Sequence, residues 1–286
     1  MVGLAQPMQA KKTLRKMMHK TALVTGATRG IGRVIALALA RAGFEVVVTG
    51  RTLTAGTGHH DAMGGVPIPG SIEETVAEIE AAGGAAYGVR LDLADRASID
   101  AAVETVLQRS GRIDLLVNNG IYQGPSIMQK VLDIDLADAE RATAGNFINQ
   151  FHLSRLVLKA MIKQGGGRMI FMSTRSSVDP TETGGALFYT GPKAAFNHIP
   201  DYINFEHRAD GISAFLIEPA FTMTDTLRSA WADAEAEVGL GTKAHDPQET
   251  ADTVVWLATN PEAVRFAGAQ LHNAPDFFED HQISPD

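Results

Sequence analysis

Tyr189 and Lys193 stand four residues apart in a stretch with helical spacing, so their side chains share one helix face. A free phenol has a pKa of about 10. An ammonium beside it favours the phenolate and lowers that value, letting Tyr189 exchange a proton near neutral pH. Taken alone, this pair is more often surface decoration. Its meaning depends on a second motif far upstream.

That motif is Thr25-Gly26-Ala27-Thr28-Arg29-Gly30-Ile31-Gly32, directly after the short apolar run Ala22-Leu23-Val24. Glycines at 26, 30 and 32 permit a tight turn, close approach of the backbone to phosphate, and close packing of helix on strand. The following helix then aims its free N–H groups and positive dipole end at a pyrophosphate. Thr28, Arg29 and Ile31 complete this dinucleotide-binding turn. The second strand ends in Gly50-Arg51-Thr52. An acidic residue there would hold the ribose 2′-hydroxyl of NAD. Arg51 instead offers a charge-assisted fork to a 2′-phosphate, and Arg29 lies in the turn beside it, so the expected cofactor is NADP(H).

The elements that must position these groups alternate strictly. Val46-Val47-Val48, residues 88–91, 113–117, 169–172, 212–217 and Ala269-Gln270-Leu271 read as further strands. Between them, apolar residues recur at helical spacing: Ile31, Val34, Ile35, Ala38 and Leu39; Ile72, Val76 and Ile79; Ile99, Ala102, Val103 and Val106. Ser71 with Glu74 is a capping box opening the second of these helices. One long helix is expected over about residues 137–163, another begins near Tyr189, and a late one closes at Trp256-Leu257. This pattern predicts an α/β fold: a single doubly wound Rossmann domain, with a parallel sheet flanked by helices on both faces. Ligands of such a sheet sit beyond the carboxyl ends of its strands.

Two connections exceed ordinary loop length, residues 52–70 and 222–246, and long loops in compact folds are often lids. Leu227, Trp231 and Val238 in the second suggest an apolar pocket. His59, His60 and Asp61 in the first invite a metal, but adjacent residues seldom converge on one ion, so no metal site is expected.

Composition narrows the classes further. A net charge of −8 argues against nucleic-acid binding, which needs a basic face. There is no cysteine, which removes disulfides, thiolate metal sites and a thiol nucleophile. No apolar run approaches the roughly 18–20 residues that span a bilayer, so no membrane partner is expected. Lys11, Lys12, Arg15, Lys16, His19 and Lys20 form a basic run without the apolar core of a secretory signal, so residues 1–20 are read as a disordered leader and the location as cytoplasmic. The catalytic domain is expected over residues 21–273 and a tail over 274–286.

With these motifs in order, the chain resembles the short-chain dehydrogenase/reductase family over about residues 20–273. Tyr189-Thr190-Gly191-Pro192-Lys193 matches its Tyr-x-x-x-Lys pair, and Asn146 falls at its catalytic asparagine. Asp92, with Leu93, matches the residues that contact adenine. Asn118-Asn119-Gly120-Ile121 is similar to the family's Asn-Asn-Ala-Gly signature but departs at its last two positions. Pro219-Ala220 replaces the usual Pro-Gly, with Thr222 following and Thr224 where a threonine contacts the nicotinamide carboxamide. The resemblance implies hydride transfer between nicotinamide and a carbonyl or alcohol carbon. Tyr189 would be acid and base, Lys193 would bind the nicotinamide ribose, and Asn146 would hold a water in the proton relay. A hydroxyl should also bond the substrate oxygen. Counting along the strand from Gly167-Arg168 gives Thr174; counting back from Tyr189 gives Ser176. Strand register favours Thr174, because loops absorb insertions more easily than buried strands, and both positions stay open. Partners implied are a small carbonyl or alcohol and, by analogy, a second copy of the chain in a dimer or tetramer. Rival readings are an epimerase or dehydratase on the same fold, and a non-catalytic NADP-binding redox sensor.

Overall fold

The computed structural model describes residues 19–61, 64–179, 184–225 and 244–284. Seven strands build one sheet: β1 (Thr21–Val24), β2 (Glu45–Gly50), β5 (Ala85–Arg90), β6 (Leu115–Asn118), β7 (Gly167–Met172), β8 (Ile212–Glu218) and β9 (Gly268–Asn273). Every pairing is parallel, in the order β5-β2-β1-β6-β7-β8-β9. The chain builds outward from β1 to one edge, returns, and builds from β6 to the other. β1 and β6 are therefore neighbours whose onward connections diverge, and a crevice opens beyond their carboxyl ends.

Both faces of the sheet are buried, so strand residues are apolar throughout yet still sort by parity. Ala22, Val24, Val46, Val48, Leu115 and Val117 face one core, with helices α1 (Gly30–Arg41), α2 (Ile72–Ala81) and α8 (Pro247–Thr259). Leu23, Val47, Leu116, Met169, Phe171 and Leu216 face the other, with α3 (Arg96–Ser110), α5 (Asn149–Gln164) and α7 (Ile199–His207). Ser71 caps α2 as expected, with a variant of the reciprocal bond: the Glu74 amide donates to Ser71 Oγ at 3.1 Å, and that hydroxyl, in place of the Ser71 amide, donates to the Glu74 carboxylate at 2.8 Å.

Three features differ from the sequence reading. The expected helix over 137–163 is interrupted: α4 (Leu136–Thr143) passes into a π turn, Ala144–Ile148, before α5 begins. A π turn inserts a residue without breaking the apolar stripe, which is why periodicity alone does not show it. The 52–70 connection contains a small antiparallel hairpin, β3 (His59–His60) with β4 (Val66–Pro67). The segment after β9, expected as a tail, turns back on its own chain. Phe277, in the short helix α9 (Phe277–Asp280), is fully buried and packs at ring-centroid distances of 5.6 Å from Trp256 and 5.0 Å from Phe266. No helix among the described residues is long and apolar enough to cross a membrane. Within the same residues, no three His, Asp or Glu side chains gather as a metal would require.

Candidate active site

The crevice begins at Thr25. Its hydroxyl donates to the Val117 carbonyl at 3.1 Å and accepts from the amides of Asn119 (3.0 Å) and Gly120 (2.8 Å). Asn119 Nδ2 returns a bond to the Thr25 carbonyl at 2.9 Å. The ends of β1 and β6 are thus fastened together by polar contacts that apolar strands could not make. Gly26 takes φ +65°, and a Cβ there would lie 2.8 Å from Gly120 Cα. A Cβ on Gly32 would lie 2.3 Å from the Gly26 carbonyl oxygen and 2.5 Å from Asn119 Nδ2. At both positions the nearest obstacle is backbone, which cannot swing aside as a side chain can. Gly32→Ala should therefore lose dinucleotide affinity by about tenfold or more and destabilise the fold by about 1–3 kcal/mol. Fluorescence titration and thermal unfolding check this; unchanged values in both would refute the cradle.

Arg29 stands at the N-cap of α1 in extended conformation and makes no side-chain cap bond, leaving the first amides of the helix uncapped by it. Those amides are the donors a pyrophosphate needs, so the turn fits a dinucleotide. The cleft, of about 460 Å³, is lined by every cofactor residue expected from sequence: Gly26, Thr28, Arg29, Gly30, Ile31, Gly32, Arg51, Asp92, Leu93, Asn119, Gly120, Pro219, Thr222 and Thr224, with Tyr189 and Lys193. His59, His60, Tyr122 and Gln123 line it as well, and sequence reasoning did not place them there.

The far wall comes from β8. Ala220 adopts φ +53°, the left-handed conformation that favours glycine; an L residue in it costs roughly 1–2 kcal/mol. The chain then turns so that Thr222 Oγ1 donates to the Pro219 carbonyl at 2.6 Å, while Met223 and Phe221 exchange backbone bonds with His245. Leu227, Trp231 and Val238 lie outside the described residues.

Tyr189 and Lys193 both sit on α6 (Leu187–Phe196). Burial pushes the Tyr189 phenol up, a hydrogen bond with Thr174 opposes this, and the Glu218 carboxylate adds to the rise. Sequence reasoning expects Lys193, helped by the charge of an oxidised nicotinamide, to lower the phenol; the side chains that act on it here are Thr174 and Glu218. Lys193 Nζ donates to the Met172 carbonyl at 2.5 Å and stands 4.7 Å from the Phe196 ring centroid. The buried ammonium takes the nearest carbonyl at the end of β7, and burial holds its pKa down to about 8. Because that value lies below the unfolded one, the group's contribution to stability rises with pH between about 8 and 10.5. Its charge is lost in the same window. The reductive kcat/KM should accordingly fall as pH rises through about 8, and a profile flat to pH 9.5 would refute a role for that charge.

Thr174 follows β7 and meets the phenol. Ser176 lies further on in the 3-10 turn Arg175–Ser177. Neighbouring hydroxyls form a separate network: Ser173 Oγ donates to Asn197 Oδ1 at 2.5 Å, Asn197 Nδ2 donates to Ser177 Oγ at 2.8 Å, and Ser177 Oγ donates to the Thr174 carbonyl at 2.6 Å. That network holds the strand end and α6 in register. Asn146 is fully buried behind the cleft, in the π turn. Its Oδ1 accepts from the Tyr122 amide at 2.7 Å and its Nδ2 donates to the Tyr122 carbonyl at 3.0 Å. The side chain thus props the loop after β6, and its bonding capacity goes to that backbone. Glu218, unnoticed in sequence, ends β8 mostly buried; its Oε2 accepts from the Arg175 amide at 3.1 Å, and burial raises its carboxyl. A carboxylate closing an otherwise apolar strand was the available signal.

Residues 20–65 and 67–235 match the profile of the short chain dehydrogenases. The chain belongs to the short-chain dehydrogenase/reductase family. As such it is an oxidoreductase that uses a nicotinamide cofactor. Among curated short-chain dehydrogenases, the 7alpha-hydroxysteroid dehydrogenase of Escherichia coli K12 is 32% identical over 210 residues, 73% of this chain and 74% of the relative. The 3-oxoacyl-(acyl-carrier-protein) reductase FabG of the same strain is 31% identical over 257 residues, 88% and 95% of the two chains. A 7alpha-hydroxysteroid dehydrogenase solved with NADH and 7-oxo glycochenodeoxycholic acid superposes with a TM-score of 0.72 at 26% identity, covering 91% of this chain and 95% of that one. A second solved member of the family gives 0.70 at 26% identity, covering 91% and 98%.

Proposed function

We propose that this short-chain dehydrogenase is an NADP(H)-dependent oxidoreductase acting on a small carbonyl compound or secondary alcohol, with Tyr189 as general acid and base. The observation that carries the cofactor choice is the wall of the cleft beyond β2, where Arg51 and Arg29 both stand. A 2′-phosphate suits that wall, because guanidinium groups make short, charge-assisted bonds to phosphate oxygens.

When bound, the nicotinamide supplies or accepts the hydride. The protein's own groups do the rest. In reduction, the Tyr189 phenol gives its proton to the substrate oxygen as charge develops there; in oxidation the phenolate takes it back. Thr174, already bonded to the phenol, orients the same oxygen. Lys193 holds a positive charge at the base of the pair, and Asn146 fixes the Tyr122 backbone that lines the cleft.

Initial rates with NADPH and NADH across ketones, aldehydes and secondary alcohols test the reading. NADPH should be preferred, and Arg51→Asp should shift the ratio of the two toward NADH by about tenfold or more. Equal use of both cofactors by the unaltered enzyme would remove the arginine argument.

A further inference from the structure

The 52–70 connection is seated directly on the glycine turn. Arg29 Nε donates to the Pro69 carbonyl at 2.7 Å, and its Nη2 donates to the Gly70 carbonyl at 2.8 Å and to Thr52 Oγ1 at 3.1 Å. A Cβ on Gly70 would lie 2.1 Å from the Thr28 carbonyl oxygen, and one on Gly58 would lie 2.8 Å from Arg29 Nη2. These contacts leave little room between insertion and turn. Arg29, moreover, spends much of its donor set on holding the insertion there.

The hairpin β3–β4 consequently forms part of the cleft wall, with His59, His60 and Ile68 beside Arg51. Asp61 links two members of this group. Its Oδ2 is 2.7 Å from Arg51 Nη1, and its Oδ1 is 3.3 Å from His59 Nε2. His60 lines the cleft beside Arg51 and is partly buried; its Nδ1 is enclosed, and the ring is hydrogen-bonded to its own backbone, which leaves Nε2 as the nitrogen for a ligand. The wall thus holds two arginines and two histidines, with the Asp61 carboxylate in contact with Arg51 and His59.

We propose that the inserted hairpin reads the cofactor: His60 and Arg51 together bind the phosphate on the adenosine ribose, and Asp61 is the internal counterion that this phosphate displaces from Arg51. The inference rests on the NADP(H) reading above and adds residues to it that lie outside the glycine turn and the end of β2. Selectivity is then a competition between two anions for one guanidinium, with the imidazole adding a bond that is stronger to the charged phosphate than to a ribose hydroxyl.

The test uses the whole protein and two ligands that differ by that phosphate alone, adenosine 2′,5′-bisphosphate and adenosine 5′-monophosphate, titrated by calorimetry. The unaltered protein should prefer the bisphosphate. His60→Ala should weaken the bisphosphate by about tenfold and leave the monophosphate unchanged. Asp61→Asn should tighten the bisphosphate by about threefold to fivefold, as expected for removing a competing half-exposed ion pair, again without effect on the monophosphate. Equal weakening of both ligands in either variant would overturn the proposal, since the hairpin would then support the site without reading it. A bisphosphate preference that survives unchanged in both variants would overturn it too, while leaving the NADP(H) reading intact. No preference in the unaltered protein would overturn both.

Discussion

Tyr189→Phe is expected to bind dinucleotide as the unaltered enzyme does and to lose about 100-fold or more in turnover. The ring is kept, so the packing of α6 against the end of β7 is kept. The only group removed is the hydroxyl that meets Thr174 and stands under the influence of Glu218. Burial holds that phenol in its protonated form, which is the form reduction consumes. The loss should appear in kcat for reduction, with Kd for the cofactor within about twofold, because the proton moves only in the transition state. A variant with near-normal turnover would place the acid elsewhere.

Thr174→Val should cost about 10²–10³ in kcat with little change in substrate KM, the range seen when one donor to a developing oxyanion is removed. Valine preserves the β-branched shape, so the strand end and the Ser177 bond to the Thr174 carbonyl survive. Ser176→Ala should be close to neutral, since Ser176 sits in the following 3-10 turn and the bond to the phenol belongs to Thr174. The reverse pattern, a large defect for Ser176→Ala and normal activity for Thr174→Val, would show that the substrate oxygen sits one turn further along the loop. Steady-state kinetics on the two variants decides this directly.

Why the sequence pointed to some of this and not the rest has physical reasons. The sheet was legible because its strands are apolar runs too short for helices and alternate with segments of helical spacing, and because glycines 26, 30 and 32 have steric work that larger residues cannot do. Residues that line the cleft through local motifs, from Thr28 to Thr224, were legible for the same reason. The phenol was not. Its acidity depends on burial and on Glu218, which arrives from β8 and has no mark in the Tyr-x-x-x-Lys spacing. Lys193 was placed on the correct helix, but its choice of the Met172 carbonyl is decided by tertiary packing. The β3–β4 hairpin escaped notice because two residues per strand show no alternation, and His59-His60 facing Val66-Pro67 carries no pattern.

The bond set around Thr25 bears on what a family signature records. Its hydroxyl accepts from the amides at 119 and 120, and Asn119 answers through the Thr25 carbonyl. Of the four positions Asn118-Asn119-Gly120-Ile121, the join inspects one side chain and two stretches of main chain. At position 120 a methyl group would meet the Gly26 nitrogen and Leu93 Cδ1 at 3.2 Å and the Thr25 carbonyl carbon at 3.3 Å, so the main chain beside it would have to give by a few tenths of an ångström. Position 121 is not read by Thr25 at all. The chain can drift from Asn-Asn-Ala-Gly to Asn-Asn-Gly-Ile without loosening the seam. What the seam requires is a path of the backbone, met here with Gly120 and Ile121 in the last two positions.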